Sequence, residues 1–204
     1  MTTVAAFDLD GTITDRDCVV PFLRKVAGTW SIVAGLMAQP VHVGGALARR
    51  DRDAVKEAAA HAAFRDRRVE TVEPMAVEFA ADVHRRWIRP EAAEQIAAHR
   101  QAGDAIVIVS ASFALYVEPL GSLLGVDGVL ATRLATDDGR FTGRLDGPNC
   151  RGPEKVQRLH AWLDEHHGGR AAVEVIAYGD SPGDRELLAD ADVAHRVDET
   201  WGGR

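Results

Sequence analysis

Cysteine is scarce in this chain: its 204 residues contain only Cys18 and Cys150, far apart in sequence. Two distant cysteines do not build the network of bridges that supports small secreted proteins, and neither has the neighbours of a structural zinc site. The eight histidines show no metal-ligand spacing either. A disulfide framework is therefore not expected, and a reducing cytoplasm is the expected location.

Long apolar segments are also missing. The first residues have no basic region and meet acidic side chains at once, which does not fit a signal peptide. The longest apolar stretch, residues 30–43, contains several polar residues and a proline, and it falls short of the roughly 20 residues of a membrane helix. We expect no transmembrane segment and interpret the stretch as a buried helix, with contact to a membrane surface as the alternative.

Positive charge is in deficit, with 24 Lys and Arg against 31 Asp and Glu and a formal net charge of -7. Such a surface repels phosphate backbones, so nucleic acid is not an expected partner. An anionic small molecule would need a local positive site. The hydrophobic fraction of 46% is that of an ordinary globular protein, long enough for one large domain or a core with a smaller insertion.

Periodicity divides the chain into two kinds of segment. Residues 4–7 form a short apolar run typical of a buried strand, whereas residues 17–88 have helical spacing throughout and predict four or five helices. Beyond Pro90, helices and strands alternate. Helices are predicted at residues 91–101, 114–124, 154–166 and 182–189. Strands are predicted at residues 105–109, 128–130, 173–178 and 192–197. Residues 132–135 and 140–145 are predicted to form a hairpin about an Asp-Asp-Gly turn. This order predicts an α/β fold with a parallel, Rossmann-like sheet, whose core is residues 1–16 and 89–204 and whose helical cap is residues 17–88.

Polar residues follow three of the predicted strands. Ligands of parallel sheets bind beyond the carboxyl ends of the strands, so Asp8, Ser110 and Asp180 should converge although they are distant in sequence. Asp8 and Asp10 share one turn, and one carboxylate of such a pair can act as nucleophile while the other moves protons. The alternative for this turn is structural, because Asp and Gly are common turn residues. With Asp180 added, three carboxylates favour a hard cation such as magnesium.

Several neighbouring residues admit both a functional and a structural interpretation. Ser110 and the backbone after it, through Ala111, offer donors for phosphate oxygens at a helix start, while Ser112 is interpreted as a simple helix N-cap. Ser181 and Asp184 fit a capping box, which leaves Asp180 unexplained by structure. Lys155 lies near a helix start, where a lysine is unfavourable, and it is either a surface residue or an ammonium that reaches the acidic site.

Four short motifs together resemble the haloacid dehalogenase superfamily of phosphatases. The first is Asp8-Leu9-Asp10-Gly11-Thr12, the second Ser110, the third Lys155, and the fourth the segment from Gly179 to Asp184. They occur in order and span residues 4 to about 197. The helical segment between the first two motifs is similar to that of the subgroup that includes phosphoserine phosphatase, and the residues before Lys155 are similar to a bacterial branch of histidinol-phosphatase-like hydrolases.

The resemblance implies a reaction and a set of roles. Asp8 would attack phosphorus and form an aspartyl phosphate, and Asp10 would act as acid and then as base. Magnesium would be held by Asp8, the backbone carbonyl of Asp10, and Asp180, with Asp184 orienting the metal ligands. Ser110, Ala111 and Lys155 would bind the phosphoryl oxygens. Because Asp10 is present, release of free phosphate is expected rather than dehalogenation or a stable acyl phosphate.

The cap is expected to select the substrate, a small phosphate ester. Asp17 stands where phosphoserine enzymes carry an acid that contacts the substrate amine, which indicates an amino-alcohol phosphate such as phosphoserine or histidinol phosphate; a solvated Asp at a helix start is the alternative. Arg65, Arg67 and Arg68 are interpreted as a solvated charged face. A phosphotransferase, a phosphatase of phospholipid head groups, and a regulatory protein that kept the fold are the rival functions.

Overall fold

A computed structural model of the chain describes residues 2–37 and 52–197. The strands in these ranges are β1 (Thr2–Phe7), β2 (Ala105–Phe113), β3 (Gly128–Asp137), β4 (Arg140–Asp146), β5 (Val173–Gly179) and β6 (Val193–Arg196). They form one sheet in the order β4-β3-β2-β1-β5-β6, in which the β3–β4 pair is antiparallel and the other pairs are parallel. The predicted α/β fold with a mostly parallel sheet is confirmed.

Helices separate most of the strands, as predicted for a parallel sheet. In the described ranges they are α1 (Val19–Ala27), α2 (Thr29–Met37), α3 (Arg52–Phe64), α4 (Val69–Arg86), α5 (Pro90–Ala102), α6 (Ala114–Leu124), α7 (Pro153–His167) and α8 (Arg185–Asp190), with short 3₁₀ turns at Arg170–Ala172 and Pro182–Asp184. The single helix predicted at residues 182–189 is therefore a 3₁₀ turn followed by α8. No described helix is both long and apolar enough to cross a bilayer.

The sheet has an apolar layer on each face. One layer includes Leu159, Leu163 and Val175, on the side covered by α7 and α8. The other layer is larger and is continuous with the four helices α1–α4, which we call the helical insertion. Aromatic rings join the insertion to the rest: the ring centroid of Phe22 in α1 lies 4.7 Å from that of Tyr116 in α6, and the ring centroid of Phe64 in α3 lies 5.5 Å from that of Phe113 in β2. The insertion thus shares one core with a face of the sheet, which fixes its position over the sheet edge.

The hairpin lies where the sequence predicts it. Strands β3 and β4 are joined by Asp138 and Gly139, both with positive φ, as a tight two-residue turn requires. The strand before the turn is longer than predicted, because residues 128–130 and 132–135 belong to one continuous strand, β3. The same strand therefore pairs with β2 along one edge and with β4 along the other.

The prediction of a buried helix in residues 30–43 is wrong for the part that the structure describes. Residues 29–37 form helix α2, yet Trp30 is 85% exposed and Met37 74% exposed. Residues 38–43 lie outside the described ranges. Hydrophobic composition predicted the helix but not its burial, because a helix that is apolar all round gives no face to distinguish.

Candidate active site

The three polar strand ends do converge. Strand β1 lies between β2 and β5, so Asp8 after β1 has Ser110 on one side and Asp180 on the other. All three line one open cleft of about 480 Å³, together with Lys155 from the start of α7. The arrangement follows from the topology, since parallel strands end at the same edge.

Asp8 and Lys155 form a buried ion pair at the floor of this cleft. The Lys155 Nζ lies 2.5 Å from Asp8 Oδ1 and 2.5 Å from Asp184 Oδ1, and only 2% of the Lys155 surface is exposed. Burial raises the pKa of Asp8 to about 7, against the attraction of Lys155. Burial also acts to lower the pKa of Lys155, but the two carboxylates outweigh it and raise that pKa. Lys155 therefore carries its charge inside the cleft and is not a surface lysine.

Asp10 points away from that pair into a separate hydrogen-bond network. Its Oδ1 accepts the backbone N–H of Cys18 at 2.7 Å, and its Oδ2 accepts the hydroxyl of Ser112. The Tyr116 hydroxyl in turn donates to Ser112 Oγ at 2.6 Å. Burial raises the pKa of Asp10, and the Ser112 bond opposes the rise. The two carboxylates of the turn thus have different surroundings, as a division of labour between nucleophile and acid requires.

The interpretation of Ser112 as a helix N-cap is wrong. Strand β2 continues to Phe113, α6 begins at Ala114, and a register shift between Ser110 and Phe113 turns the Ser112 hydroxyl toward Asp10. For the same reason the backbone at Ser110 and Ala111 is not a helix start. A bulge of this kind re-aims side chains at the end of a strand, and periodicity gives no sign of it.

Ser110 is buried and its hydroxyl is already oriented. Its Oγ accepts the backbone N–H of Ser112 at 3.0 Å, so its own hydrogen is left to donate elsewhere. The peptide group between Ala111 and Ser112, which carries that N–H, is held in place because its carbonyl accepts from the Thr132 hydroxyl at 2.9 Å. Ser110 therefore presents a positioned donor to the cleft.

Asp180 completes a carboxylate cluster with Asp8 and Asp184, whose oxygens lie within 4.8 Å of one another. Burial, followed by repulsion from Asp184, raises the pKa of Asp180. Gly11 has φ +85° and passes so close to Asp180 that a Cβ there would overlap the carboxylate. Three carboxylates that each bring an oxygen to one place fit a divalent cation such as magnesium. The Asp10 side chain is not in this cluster.

Asp184 ties the cluster to its turn. Its Oδ2 accepts the backbone N–H of Ser181 at 3.0 Å and the Ser181 hydroxyl at 2.7 Å, and the Ser181 hydroxyl accepts from Gly183. The predicted capping box is therefore present. Burial acts to raise the pKa of Asp184, but Lys155 outweighs it and holds that pKa below its usual value. Asp184 serves both as a cap and as a partner of Lys155.

The residues expected to select the substrate are divided. Asp17 lines the cleft, and its Oδ1 accepts the backbone N–H of Val20 at 3.1 Å at the start of α1. This contact fits the interpretation as a solvated Asp at a helix start, and the role in selecting the substrate stays a prediction. Arg65, Arg67 and Arg68 do not line it; they bond to Asp66, to the Ala63 carbonyl and to Glu70 respectively. Their interpretation as a solvated group fits these contacts.

Sequence reasoning missed a polar bridge between the insertion and the sheet. The Lys56 Nζ of α3 donates to the Ala111 carbonyl and, at 2.6 Å, to Asn149 Oδ1, while the Asn149 amide donates to Asp53 Oδ1 at 2.6 Å. Burial lowers the pKa of Lys56 to about 8. In sequence, Asn149 is 93 positions from Lys56 and 96 positions from Asp53. A lysine in an alanine-rich helix carries no local sign of such a contact.

Comparison with known proteins agrees with this geometry. A family model described as haloacid dehalogenase-like hydrolase matches residues 5–189. Protein CicA of Caulobacter vibrioides (strain NA1000 / CB15N) is 38% identical over 191 residues, covering 93% of this chain and 83% of that protein. A protein named phosphoserine phosphatase from Polaromonas sp. (strain JS666 / ATCC BAA-500) is 28% identical over 192 residues, covering 91% of this chain and 75% of that protein.

Solved structures share the fold. The structure of a substrate-bound phosphoserine phosphatase complex superposes with a TM-score of 0.65 at 19% identity, covering 95% of this chain and 85% of that chain. At this identity the likeness concerns the arrangement of helices and strands, and function has to be argued from the site.

Proposed function

The chain belongs to the haloacid dehalogenase-like hydrolases and is a phosphatase of that family, and on that premise we propose that it hydrolyses small phosphate monoesters with magnesium through an aspartyl phosphate on Asp8. The observation that carries the proposal is the pair of carboxylates on one turn with separate partners. Asp8 is bound to Lys155, and Asp10 to Ser112 and Cys18.

In the first step, an oxygen of Asp8 attacks phosphorus, and the bond between phosphorus and the ester oxygen breaks. Lys155 and Ser110 bind the phosphoryl oxygens, where the ammonium offsets their charge. Asp10 gives its proton to the departing alcohol oxygen, and its raised pKa suits a group that must hold a proton until that moment.

In the second step, water replaces the alcohol. Asp10, now ionised, takes a proton from the water as its oxygen attacks phosphorus, and the bond between phosphorus and Asp8 breaks. Free phosphate leaves and both carboxylates return to their starting states. Magnesium held by Asp8, Asp180 and the backbone carbonyl of Asp10, with Asp184 orienting the ligands, would supply charge neutralisation at the phosphoryl oxygens.

We assign residues 17–88 as a cap that selects the leaving group and residues 1–16 and 89–204 as the catalytic core. The cleft supports this division, since its catalytic side chains come from the sheet edge and its outer wall from α1 and α3. An amino-alcohol phosphate is the starting candidate for the substrate, because Asp17 lines the cleft and a relative is named phosphoserine phosphatase.

The decisive experiment is phosphate release from an aryl phosphate with added magnesium. Asp8→Asn is expected to abolish release while leaving thermal unfolding cooperative. Wild-type protein stopped with acid during turnover should carry a phosphoryl group that alkali or hydroxylamine removes, as an acyl phosphate does. Wild-type rates in Asp8→Asn would refute the mechanism. If added alcohols take up most of the phosphoryl group, the protein is a phosphotransferase.

A further inference from the structure

The outer wall of the catalytic cleft is mostly aliphatic, with Asp17, Asp53 and Lys56 beside the aliphatic side chains. Helices α1 and α3 face the cleft with five aliphatic residues, namely Val19, Val20, Leu23, Val55 and Ala59. They lie on the insertion side, opposite the carboxylates and Lys155 of the sheet edge. The leaving group of a phosphate ester bound at Asp8 would therefore contact these aliphatic side chains.

The charged groups on this side of the cleft are mostly committed to other contacts. The Lys56 ammonium donates to Asn149 and to the Ala111 carbonyl and lies 4.7 Å from the ring centroid of Phe113. Asp53 accepts from the Asn149 amide. Asp17 and Asp53 each use one carboxylate oxygen in these contacts, so the second oxygen of each is a negative group that faces the cleft.

Among the described residues that line the cleft, the guanidinium belongs to Arg151, on the sheet side. Arg151 packs against Gly183, so that a Cβ on that glycine would lie 3.1 Å from Arg151 Nε. It therefore lies beside the turn that carries Asp180 and Asp184, on the phosphoryl side. A carboxylate on the leaving group would meet mostly aliphatic side chains and the like charges of Asp17 and Asp53, and the one described ammonium on this side, that of Lys56, already donates to two oxygens. Such a carboxylate would lose hydration for little gain in partners.

We propose that the leaving alcohol carries an apolar carbon chain and no carboxylate, so that the preferred substrates are phosphate monoesters of alkyl or aromatic alcohols, with an amine or hydroxyl tolerated near Asp17. This inference rests on the proposed phosphatase function and names the substrate class of the same cleft. It replaces phosphoserine as the first candidate.

A chain-length series tests the proposal on the wild-type protein. The ratio kcat/KM is measured for ethyl, butyl and hexyl phosphate with magnesium, and it should rise roughly threefold for each methylene until the wall is covered, since each buried methylene contributes a nearly constant free energy. Ethanolamine phosphate should exceed phosphoserine by about tenfold, because the two differ only in the carboxylate. A flat series, or phosphoserine as the best substrate, would overturn the proposal.

A matched pair of variants locates the effect. Val20 lines the cleft and is 48% exposed, whereas Val77 of α4 is 55% exposed and does not line it. Val20→Asn should lower kcat/KM several-fold more for hexyl phosphate than for ethyl phosphate; Val77→Asn should change neither. Equal effects of Val20→Asn on both esters, or none on hexyl phosphate, count against the apolar wall.

Failure of this inference differs from failure of the proposed function. If aryl phosphate is hydrolysed and Asp8→Asn is inactive but the alkyl series is flat, the chemistry stands and the leaving-group class is wrong. If no phosphate ester releases phosphate in wild-type protein, the proposed function itself fails.

Discussion

The sheet edge and the helical insertion contribute to the same cleft in opposite ways. At the sheet edge the polar groups are buried and bonded to one another, as in the contacts of Lys155 with Asp8 and Asp184. On the insertion the cleft wall is aliphatic, and ion pairs such as Lys25–Glu78 lie at the surface. In the described ranges no fully buried side-chain nitrogen or oxygen lacks a hydrogen-bond partner.

This difference explains how one chain can keep the catalytic groups apart from the residues that select the substrate. A buried, fully bonded network holds reacting groups in fixed positions and gives them unusual pKa values. An apolar wall has no directional contacts, so its residues can change the preferred leaving group at little cost to catalysis. The sheet edge should therefore respond to single substitutions far more strongly than the insertion.

After the loss of activity expected for Asp8→Asn, the largest effect should come from Asp10→Asn, because it removes the group that moves protons in both steps. Turnover of an alkyl phosphate should fall roughly 10²- to 10⁴-fold. With 4-nitrophenyl phosphate, whose leaving group needs no proton, a burst of about one nitrophenolate per molecule should precede slow turnover in rapid-mixing kinetics.

Asp17→Asn is the matched control on the insertion, since it removes a carboxylate from the same cleft. We expect its kcat to change less than tenfold, with the effect mainly in KM. Comparable losses in kcat for the two variants would remove the distinction between the two regions.

The next effect is on stability. Lys155→Met leaves Asp8 and Asp184 buried without their cation, which should lower the free energy of unfolding by about 3–5 kcal/mol at pH 7. The pKa of Asp184 is lowered in the fold, so its stabilisation is present at neutral pH and is lost as the pH falls through its folded pKa. The difference between wild type and variant should narrow in acid, as protonation removes the unpaired charges.

Urea denaturation at pH 7 and at a pH below 3.8, the ordinary pKa of an aspartate, measures this effect. Lys25→Met, which breaks the surface pair with Glu78, should change stability by less than about 1 kcal/mol at both values. An equally small change in Lys155→Met would show that the buried pair is not holding the sheet edge together.

A smaller effect is expected where the two regions meet, at Lys56. Burial lowers its pKa to about 8 from 10.5, so between these values the unfolded chain binds a proton that the folded protein has released. Stability relative to Lys56→Met should therefore rise with pH across this window, by up to about 2 kcal/mol between pH 8 and pH 9.5. The cost of the buried charge is fully present below pH 8.

The measurement is the free energy of unfolding of both proteins at pH 7.5 and pH 9.5, with Lys25→Met as the surface control. A difference that stays constant with pH would mean that Lys56 is solvated in the folded protein and does not tie the insertion to Ala111 and Asn149.

The smallest predicted change is Ser112→Ala, which removes one hydrogen bond to Asp10 and leaves the carboxylate in place. A bond to a charged group contributes about 1.5 kcal/mol, so kcat should fall about tenfold and recover in Ser112→Thr. Ser122→Ala, which removes an exposed hydroxyl that donates to a helix carbonyl, should have no effect. Unchanged kcat in Ser112→Ala would mean that the Tyr116–Ser112 chain does not act on Asp10.

Much of the sheet edge was predictable because its cues are local. A short apolar run followed by Asp8, and another followed by Asp180, identify strands and their ends, and the parallel order brings those ends together. Ser112 was misassigned because a bulge after Ser110 changes the direction of the side chains without changing the residue pattern. The exposure of Trp30 was missed because apolar composition does not say which neighbours a helix has.

The sequence by itself determined which residues have the chemistry and in which order the strands and helices follow. Both depend on periods of a few residues and on the rule that parallel strands end at a common edge. Only the tertiary structure decided that Lys155 is buried between two carboxylates, that Ser112 donates to Asp10, and that Lys56 bonds to Asn149. These contacts join residues tens of positions or more apart, and their geometry is fixed by packing, which no local pattern encodes.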